Sequence, residues 1–433
     1  MRKAALHNLG CKVNAYETDA MQQMLTEAGY EIVPFEEEAD VYLINTCTVT
    51  NMADRKSRQM LHRAKKKNPQ SVVVAAGCYV QAAGEVLYED ESIDLVIGNN
   101  RKKDLVELLE GFFEGRREAA ILDINHTKEY ENLQLSKAGE HTRAYVKVQD
   151  GCNQFCSYCI IPYARGRVRS RGKEDVVTEI RRLAANGYKE VVLTGIHLSS
   201  YGVDLEGESL LGLILAVHEV DGIERIRLGS LEPGIITEEF VRTIAALPKM
   251  CPHFHLSLQS GCNATLKRMN RRYSAEQFAE RCRLLRTYFA NPALTTDVIV
   301  GFPGETEEEF GETERFLEEI CFYETHIFKF SRRKGTRADQ MTGQIPEQVK
   351  TERSSCLQAL HDKNRLCYQK RFLGKEVEVL FEETVTHQGQ ICQIGHTKEY
   401  LQVLLPDAED RSNQILSVKV VEILENGALL GEK

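Results

Sequence analysis

The sequence predicts an α/β protein in three parts: an amino-terminal doubly wound parallel α/β domain over 1–130, a central partial (β/α)6 barrel over 138–368, and a small antiparallel β-barrel over 369–433. Three observations predict it. Short apolar runs alternate with helical patterns over residues 1–130, which is how parallel βαβ units read. A second alternation starts at Ala144. After Lys370 the helical patterns stop and short strands follow one another directly.

In the first part the apolar runs are Lys3–His7, Val41–Asn45, Val72–Ala76 and Leu95–Ile97, with helical patterns such as Tyr16–Ala28 and Ala53–Lys67 between them. Cys11, Cys47 and Cys78 fall just past the carboxyl ends of the first three runs, in HNLGC, INTC and AAGC. Open α/β sheets bind ligands at that edge, so three thiols distant in sequence are expected to converge there. The polar segment Arg117–Thr142 lacks periodicity and reads as a linker. Barrel strands are expected at Ala144–Gln149, Glu190–Thr194, Arg225–Leu228, Phe254–Leu258, Thr295–Val300 and His326–Phe330. Helices at Glu174–Asn186, Ala275–Tyr288 and Glu307–Glu319 separate several of them, and chemistry belongs at the carboxyl ends of such strands. Lys375–Phe381, Gln390–Ile394, Tyr400–Leu405 and Ser417–Ile423 then read as a small antiparallel barrel or sandwich, of the size used for oligonucleotide binding.

Composition narrows the function. A chain of 433 residues, 42% hydrophobic and 27% charged, builds two or three globular cores. No run approaches the ~18 apolar residues of a membrane span. The start, MRKAALHNLG, has no apolar signal-peptide core, so a cytoplasmic location is expected. In a reducing compartment 13 cysteines are not a disulfide framework, and clustered ones point to metal or redox chemistry. The dispersed Cys251, Cys262, Cys282, Cys321, Cys356, Cys367 and Cys392 are expected to be small buried hydrophobes. A net charge of −9 argues against a uniformly basic surface. Local basic runs at His62–Lys67, Arg165–Lys173, Lys267–Arg272 and Lys329–Arg337 are either solvated faces or phosphate contacts.

Asp150-Gly-Cys-Asn-Gln-Phe-Cys-Ser-Tyr-Cys follows the first barrel strand directly. Cys152, Cys156 and Cys159, at CxxxCxxC spacing, can ligate three corners of a cubane whose fourth iron stays open. A tetrahedral zinc site is the competitor, and it needs a distant fourth ligand. Other strand ends carry polar groups that a cofactor could use or that fill the barrel core: Gly195, Ser230, Glu232, Ser257, Gln259 and Asp297. The loop Gly301-Phe-Pro-Gly304 lacks the Gly-Lys-Ser/Thr ending of a nucleotide P-loop.

CxxxCxΦC on the first loop of a βα barrel resembles the radical S-adenosylmethionine superfamily. LGCKVNAYETD at 9–19, INTCTVTNMAD at 44–54 and AAGCYVQ at 75–81 resemble the three cysteine motifs of its methylthiotransferases. FLGKEVEVL at 372–380 and IGHTKEY at 394–400 resemble their TRAM RNA-binding domain. That resemblance implies two four-iron, four-sulfur clusters, at Cys11, Cys47 and Cys78 and at Cys152, Cys156 and Cys159, with S-adenosylmethionine as cofactor. It implies that Tyr158 contacts the adenine of S-adenosylmethionine, and that Gly195 lies in a strip for its amino group. No catalytic residue beyond the cluster cysteines is implied.

Within the family, LGCKVNxYET and NTCTVTNxAD resemble the subgroup acting on N6-threonylcarbamoyladenosine beside the tRNA anticodon. The implied reaction uses one S-adenosylmethionine as methyl donor and one as radical source, with a low-potential electron donor such as flavodoxin or ferredoxin. Arg165, Arg167, Arg169 and Arg171 are then expected to track phosphates of the tRNA anticodon stem-loop. Isopentenyladenosine or a ribosomal protein side chain are alternative acceptors, and a non-catalytic iron–sulfur or zinc RNA-binding protein is the alternative from another class.

Overall fold

A computed structural model describes residues 1–116, 120–136 and 142–433. The amino-terminal sheet comprises β1 (Lys3–Asn8), β2 (Glu31–Ile32), β3 (Val41–Thr46), β4 (Val72–Gly77) and β5 (Leu95–Ile97). Their order is β2-β1-β3-β4-β5 and every pair is parallel. Residues of β3 and β4 alternate between two cores, as the two-residue period of a strand dictates. Val41, Leu43, Val72 and Val74 face α1 (Lys12–Glu27), whereas Tyr42, Ile44, Val73 and Ala75 face α2 (Asn51–Lys67) and α3 (Cys78–Ala83). The Thr50 hydroxyl accepts from the Ala53 amide and so starts α2 immediately after the Cys47 loop.

The segment expected to be a linker is not a solvated tether where it is described. Leu133 and Leu135 are buried against Tyr16 and Ala20 of α1. Two apolar anchors in a polar, aperiodic stretch leave no pattern to read. Residues 117–119 and 137–141, and with them the expected boundary at 138, lie outside the described residues.

The central barrel has six parallel strands: β6 (Arg143–Asp150), β8 (Glu190–Gly195), β9 (Arg225–Leu228), β10 (His253–Gln259), β11 (Ala293–Val300) and β12 (Glu324–Lys329). A short strand β7 (Arg169–Ser170) runs antiparallel to β6. The sheets β7-β6-β8-β9 and β10-β11-β12 are joined through parallel bridges at Ile226–Met250 and Leu231–Leu256. Among the described residues β12 pairs only with β11, so the barrel stays open on that side.

The last domain is a closed barrel of β13 (Glu376–His387), β14 (Gln390–Thr397), β15 (Gln402–Pro406), β16 (Ile415–Ile423) and β17 (Leu429–Glu432), in the order β13-β14-β15-β17-β16. It differs from the expected four antiparallel strands in its closing strand β17, which pairs parallel to β15. Tyr400 is not the start of β15. It sits in the turn before it at φ 74°, which aims the ring out of the small barrel. That ring stacks on His253 at 4.9 Å and lies under the guanidinium groups of Arg143 (4.9 Å) and Arg227 (4.8 Å). Arg225 and Arg227 donate to the carbonyls of Glu378, His396, Thr397 and Lys398. The amino-terminal mouth of the central barrel is thus where the last domain docks. No helix among the described residues is long and apolar enough to cross a membrane.

Candidate active site

Both cysteine triads stand at the strand ends the sequence assigns them. Cys11 precedes α1, Cys47 follows β3, and Cys78 opens α3 directly after β4. The first loop approaches the second closely: a Cβ on Gly10 (φ 111°) would sit 3.0 Å from both Cβ and Sγ of Cys47. Asn14 ties these loops together, its Nδ2 donating to the carbonyls of Leu9 (2.7 Å) and Thr46 (3.0 Å). Burial, then the neighbouring Cys78 and Cys11 thiolates, pushes the Cys47 thiol up to about 11.

The second triad occupies the loop after β6. Gly151 at φ 72° makes its first turn, because a Cβ there would lie 1.8 Å from the Arg167 carbonyl oxygen. Backbone bonds pin the loop: Cys152 N to Gly166 O and Cys159 N to Cys156 O, each 3.0 Å. Ser157 anchors it to a second segment, donating from N to Met269 O (3.0 Å) and from Oγ to Arg268 O (2.8 Å). Burial and the Cys156 thiolate push the Cys152 thiol up to about 11 and the Cys159 thiol to about 12.

All thirteen cysteines are free thiols, and the other seven are placed elsewhere. Cys251 lies beside Arg227; Cys321 and Cys356 are only partly buried, Cys356 donating to Glu314, and Cys367 is exposed, unlike the buried hydrophobes expected at these three positions. The sulfurs of neither triad all lie within 4.8 Å of one another. Each triad also receives one buried arginine: Arg165 Nε donates to Cys78 Sγ at 3.0 Å, and Arg271 donates to Cys156 Sγ at 3.2 Å. Hydrogen-bonded thiolates with a cationic partner are what an iron–sulfur cluster requires of a buried site. Both donor sets fit a four-iron cluster.

Tyr158, Gln259 and Asp297 line a single cavity of about 220 Å³. Val49 and Thr50, two and three residues after Cys47, line it as well. The Tyr158 ring packs edge-on against Phe302 at 6.4 Å. Asp297 pairs with His255 at 3.2 Å. Burial opposes its charge, but the hydrogen bond from His255 holds the carboxyl below its ordinary range. His326 completes a second donor set there, since His255, Asp297 and His326 offer ligand atoms within 4.8 Å of one another.

The other candidates stand further from the cavity. Glu232 is clasped by His197 (3.1 Å) and Arg271 (2.9 Å). Ser257 acts through its carbonyl, which accepts from Arg271 and Tyr273. Gly195 leaves room for Gln149, whose Nε2 donates to the Asp150 and Gly151 carbonyls beneath the cluster loop. Ser230 is exposed.

The expected phosphate contacts need correction. Arg165, Arg169 and Arg171 are at most 1% exposed and spend their charge inside the protein. Arg165 and Arg169 pair with Asp150, Arg165 also with Glu17, and Arg171 with Glu179. A buried guanidinium needs an anionic partner, and a run of arginines in sequence does not reveal that three of them turn inward. Arg167 alone is exposed, stacked over Phe155 at 4.5 Å.

Sequence reasoning missed the network these arginines join. Glu17 Oε1 meets Lys147 Nζ at 2.7 Å and Arg165 at 2.5 Å, while Oε2 meets Lys102 Nζ at 3.0 Å. Lys147 also reaches Asp150 at 2.6 Å. The available signal was the pair of charges, Lys147 and Asp150, inside a strand flanked by apolar residues. Buried charges of that kind imply partners.

Comparison with known proteins identifies the family. The model of the uncharacterized protein family UPF0004 matches residues 3–98, and that of the radical SAM superfamily matches residues 146–317. The threonylcarbamoyladenosine tRNA methylthiotransferase MtaB of Bacillus subtilis is 41% identical over 425 residues, covering 98% of this chain and 94% of its own. A tRNA-2-methylthio-N6-dimethylallyladenosine synthase of Moorella thermoacetica is 35% identical, covering 95% of this chain and 94% of its own. Among solved structures, the radical S-adenosylmethionine methyltransferase TsrM of Kitasatospora setae, with cobalamin and a 4Fe-4S cluster bound, matches with a TM-score of 0.60. It is 19% identical and covers 78% of this chain and 77% of its own, a likeness of fold alone. With full-length relatives, both cysteine triads and the partial barrel in agreement, the chain belongs to the radical S-adenosylmethionine tRNA methylthiotransferase family.

Proposed function

We propose that the protein transfers a methylthio group to carbon 2 of N6-threonylcarbamoyladenosine beside the tRNA anticodon. The observation that carries this reading is the shared cavity, walled by Val49 and Thr50 of the first triad's loop and by Tyr158 of the second's. Sulfur insertion into a ring carbon needs radical generation and sulfur delivery at one acceptor, hence one cavity. Bound clusters supply one-electron cleavage of S-adenosylmethionine at Cys152, Cys156 and Cys159 and the transferable sulfur at Cys11, Cys47 and Cys78, a second S-adenosylmethionine giving the methyl group.

The chain itself binds, orients and shields. Tyr158, Gln259 and Asp297 present an aromatic face, an amide and an ionised carboxylate to whatever enters. Val49, Met52 and Phe328 are 52%, 57% and 44% exposed, an unusual amount of apolar surface around a polar site. An anticodon-loop base leaves its stack cheaply and finds apolar surface there. Arg167, Lys267, Arg272, Lys334 and Arg337 are exposed, and none has an ion pair among the described residues. Their segments meet the cluster loop through the Met269–Ser157 and Ser157–Ala338 backbone bonds, so they ring its rim and suit tRNA phosphates. The electron is supplied by a low-potential donor such as flavodoxin or ferredoxin, and the setting is the cytoplasm.

A mixture of two tRNAs tests the acceptor, one carrying threonylcarbamoyladenosine and one isopentenyladenosine. The reconstituted protein is expected to methylthiolate the first. Product on the second alone, or 5′-deoxyadenosine release with neither product, would overturn the assignment.

A further inference from the structure

We propose that Arg165 is a positioning residue shared by both centres, setting the reduction potential of the cluster held by Cys11, Cys47 and Cys78 and fixing its place relative to the radical site. The inference rests on the methylthiotransferase reading for the identity of the clusters, but not for the identity of the RNA. Arg165 ends the short helix Ile161–Arg165 that leads out of the Cys159 loop. From there its guanidinium crosses into the amino-terminal domain. Nε donates to Cys78 Sγ at 3.0 Å, and one terminal nitrogen donates to Asn14 Oδ1 at 2.6 Å and Glu17 Oε2 at 3.0 Å. The other reaches Glu17 Oε1 at 2.5 Å and Asp150 Oδ2 at 3.3 Å. Asp150 stands two residues before Cys152, and Asn14 ties the Cys11 and Cys47 loops. One fully buried side chain therefore touches a ligand of one triad and the flanks of both.

Its chemical effect follows from that placement. Hydrogen bonds to ligand sulfurs and nearby positive charge stabilise the reduced form of an iron–sulfur cluster and raise its potential. Burial leaves the Arg165 charge unscreened by salt. Arg271 stands in the same relation to Cys156, but its other partners, Glu232 and the Ser257 carbonyl, belong to the barrel alone. The two arginines thus separate the two potentials. Lysine at 165 keeps a charge for Glu17 and Asp150, but it cannot span Cys78, Asn14 and Glu17 together.

The test is an EPR-monitored redox titration of the full-length chain without tRNA. Each cluster is read alone, in the background of Cys152→Ala/Cys156→Ala/Cys159→Ala or of Cys11→Ala/Cys47→Ala/Cys78→Ala. Arg165→Lys is expected to move the Cys11/Cys47/Cys78 cluster to a more negative potential and leave the other unchanged. Arg271→Lys is expected to do the reverse. Selective loss of the Cys11/Cys47/Cys78 cluster from Arg165→Lys, with the other retained, also supports the placement. Should Arg165→Lys fail to fold, Arg165→Gln leaves Glu17 paired with Lys102 and Lys147 and Asp150 with Lys147, and carries the same expectation. Unchanged potentials, or equal shifts at both clusters, would overturn the proposal. Failure to methylthiolate any tRNA would overturn the acceptor and leave these potentials standing.

Discussion

Replacing Glu17 with glutamine should unfasten the amino-terminal domain from the barrel. The carboxylate is fully buried and meets Lys102 at 3.0 Å, Lys147 at 2.7 Å and Arg165 at 2.5 Å. Removing one partner of a buried ion pair costs roughly 3–5 kcal/mol, because the charge left behind is neither solvated nor neutralised. Glutamine keeps the shape and an acceptor but no charge, leaving Lys102 with the neutral Asn99 Oδ1 and Lys147, Arg165 and Arg169 to share Asp150. We expect a loss of about 3–5 kcal/mol, or a midpoint roughly 3–6 °C lower, in anaerobic thermal unfolding followed by circular dichroism. Adding Lys102→Met to Glu17→Gln should recover part of the loss, since deleting both members of a buried pair is far cheaper than deleting one. The pH dependence carries the same sign. Burial opposes the Glu17 charge, but Arg165, Lys102 and Lys147 hold its carboxyl well below the ordinary range. Its stabilisation is therefore complete above the unfolded value of about 4.3 and fades only as pH falls below it toward the folded value. A Glu17→Gln protein within about 1 kcal/mol of wild type would refute the reasoning and make the network decoration rather than fastening.

Tyr400→Ala should cost roughly 1–3 kcal/mol by removing a half-buried ring from between His253, Arg143 and Arg227. Limited proteolysis should then release the carboxyl-terminal barrel before the rest is cut, and an unchanged digestion pattern would contradict its docking role. Arg167→Ala should lower tRNA affinity and flatten the slope of log affinity against log salt by about 1, one phosphate contact. Arg169→Ala should instead destabilise the fold, its guanidinium being buried, and a salt-slope change without destabilisation would reverse that assignment.

Much of the architecture was legible because it is periodic. The short apolar runs of β3 and β4, recurring between helical patterns, and the cysteines at their ends place the first triad, and the CxxxCxxC loop after β6 places the second. What escaped the sequence is what depends on partners distant along it. Arg165 and Arg167 are two residues apart, yet one is fully buried on Glu17 and the other exposed. Leu133 and Leu135 anchor a stretch with no period, and the pairing of β17 parallel to β15 depends on how a barrel closes. His326 has no motif around it and becomes notable only when β12 sets it beside Asp297.

The claim that both triads serve one acceptor is tested most directly by nucleoside mass spectrometry after a single anaerobic turnover. The reactions are wild type, Cys47→Ala and Cys152→Ala, each with reductant, S-adenosylmethionine and tRNA carrying threonylcarbamoyladenosine. Iron analysis should first show each variant with about four irons fewer than wild type. Wild type is then predicted to yield the 2-methylthio nucleoside, Cys47→Ala to release 5′-deoxyadenosine without it, and Cys152→Ala to give neither. Methylthio product from either variant would contradict the account.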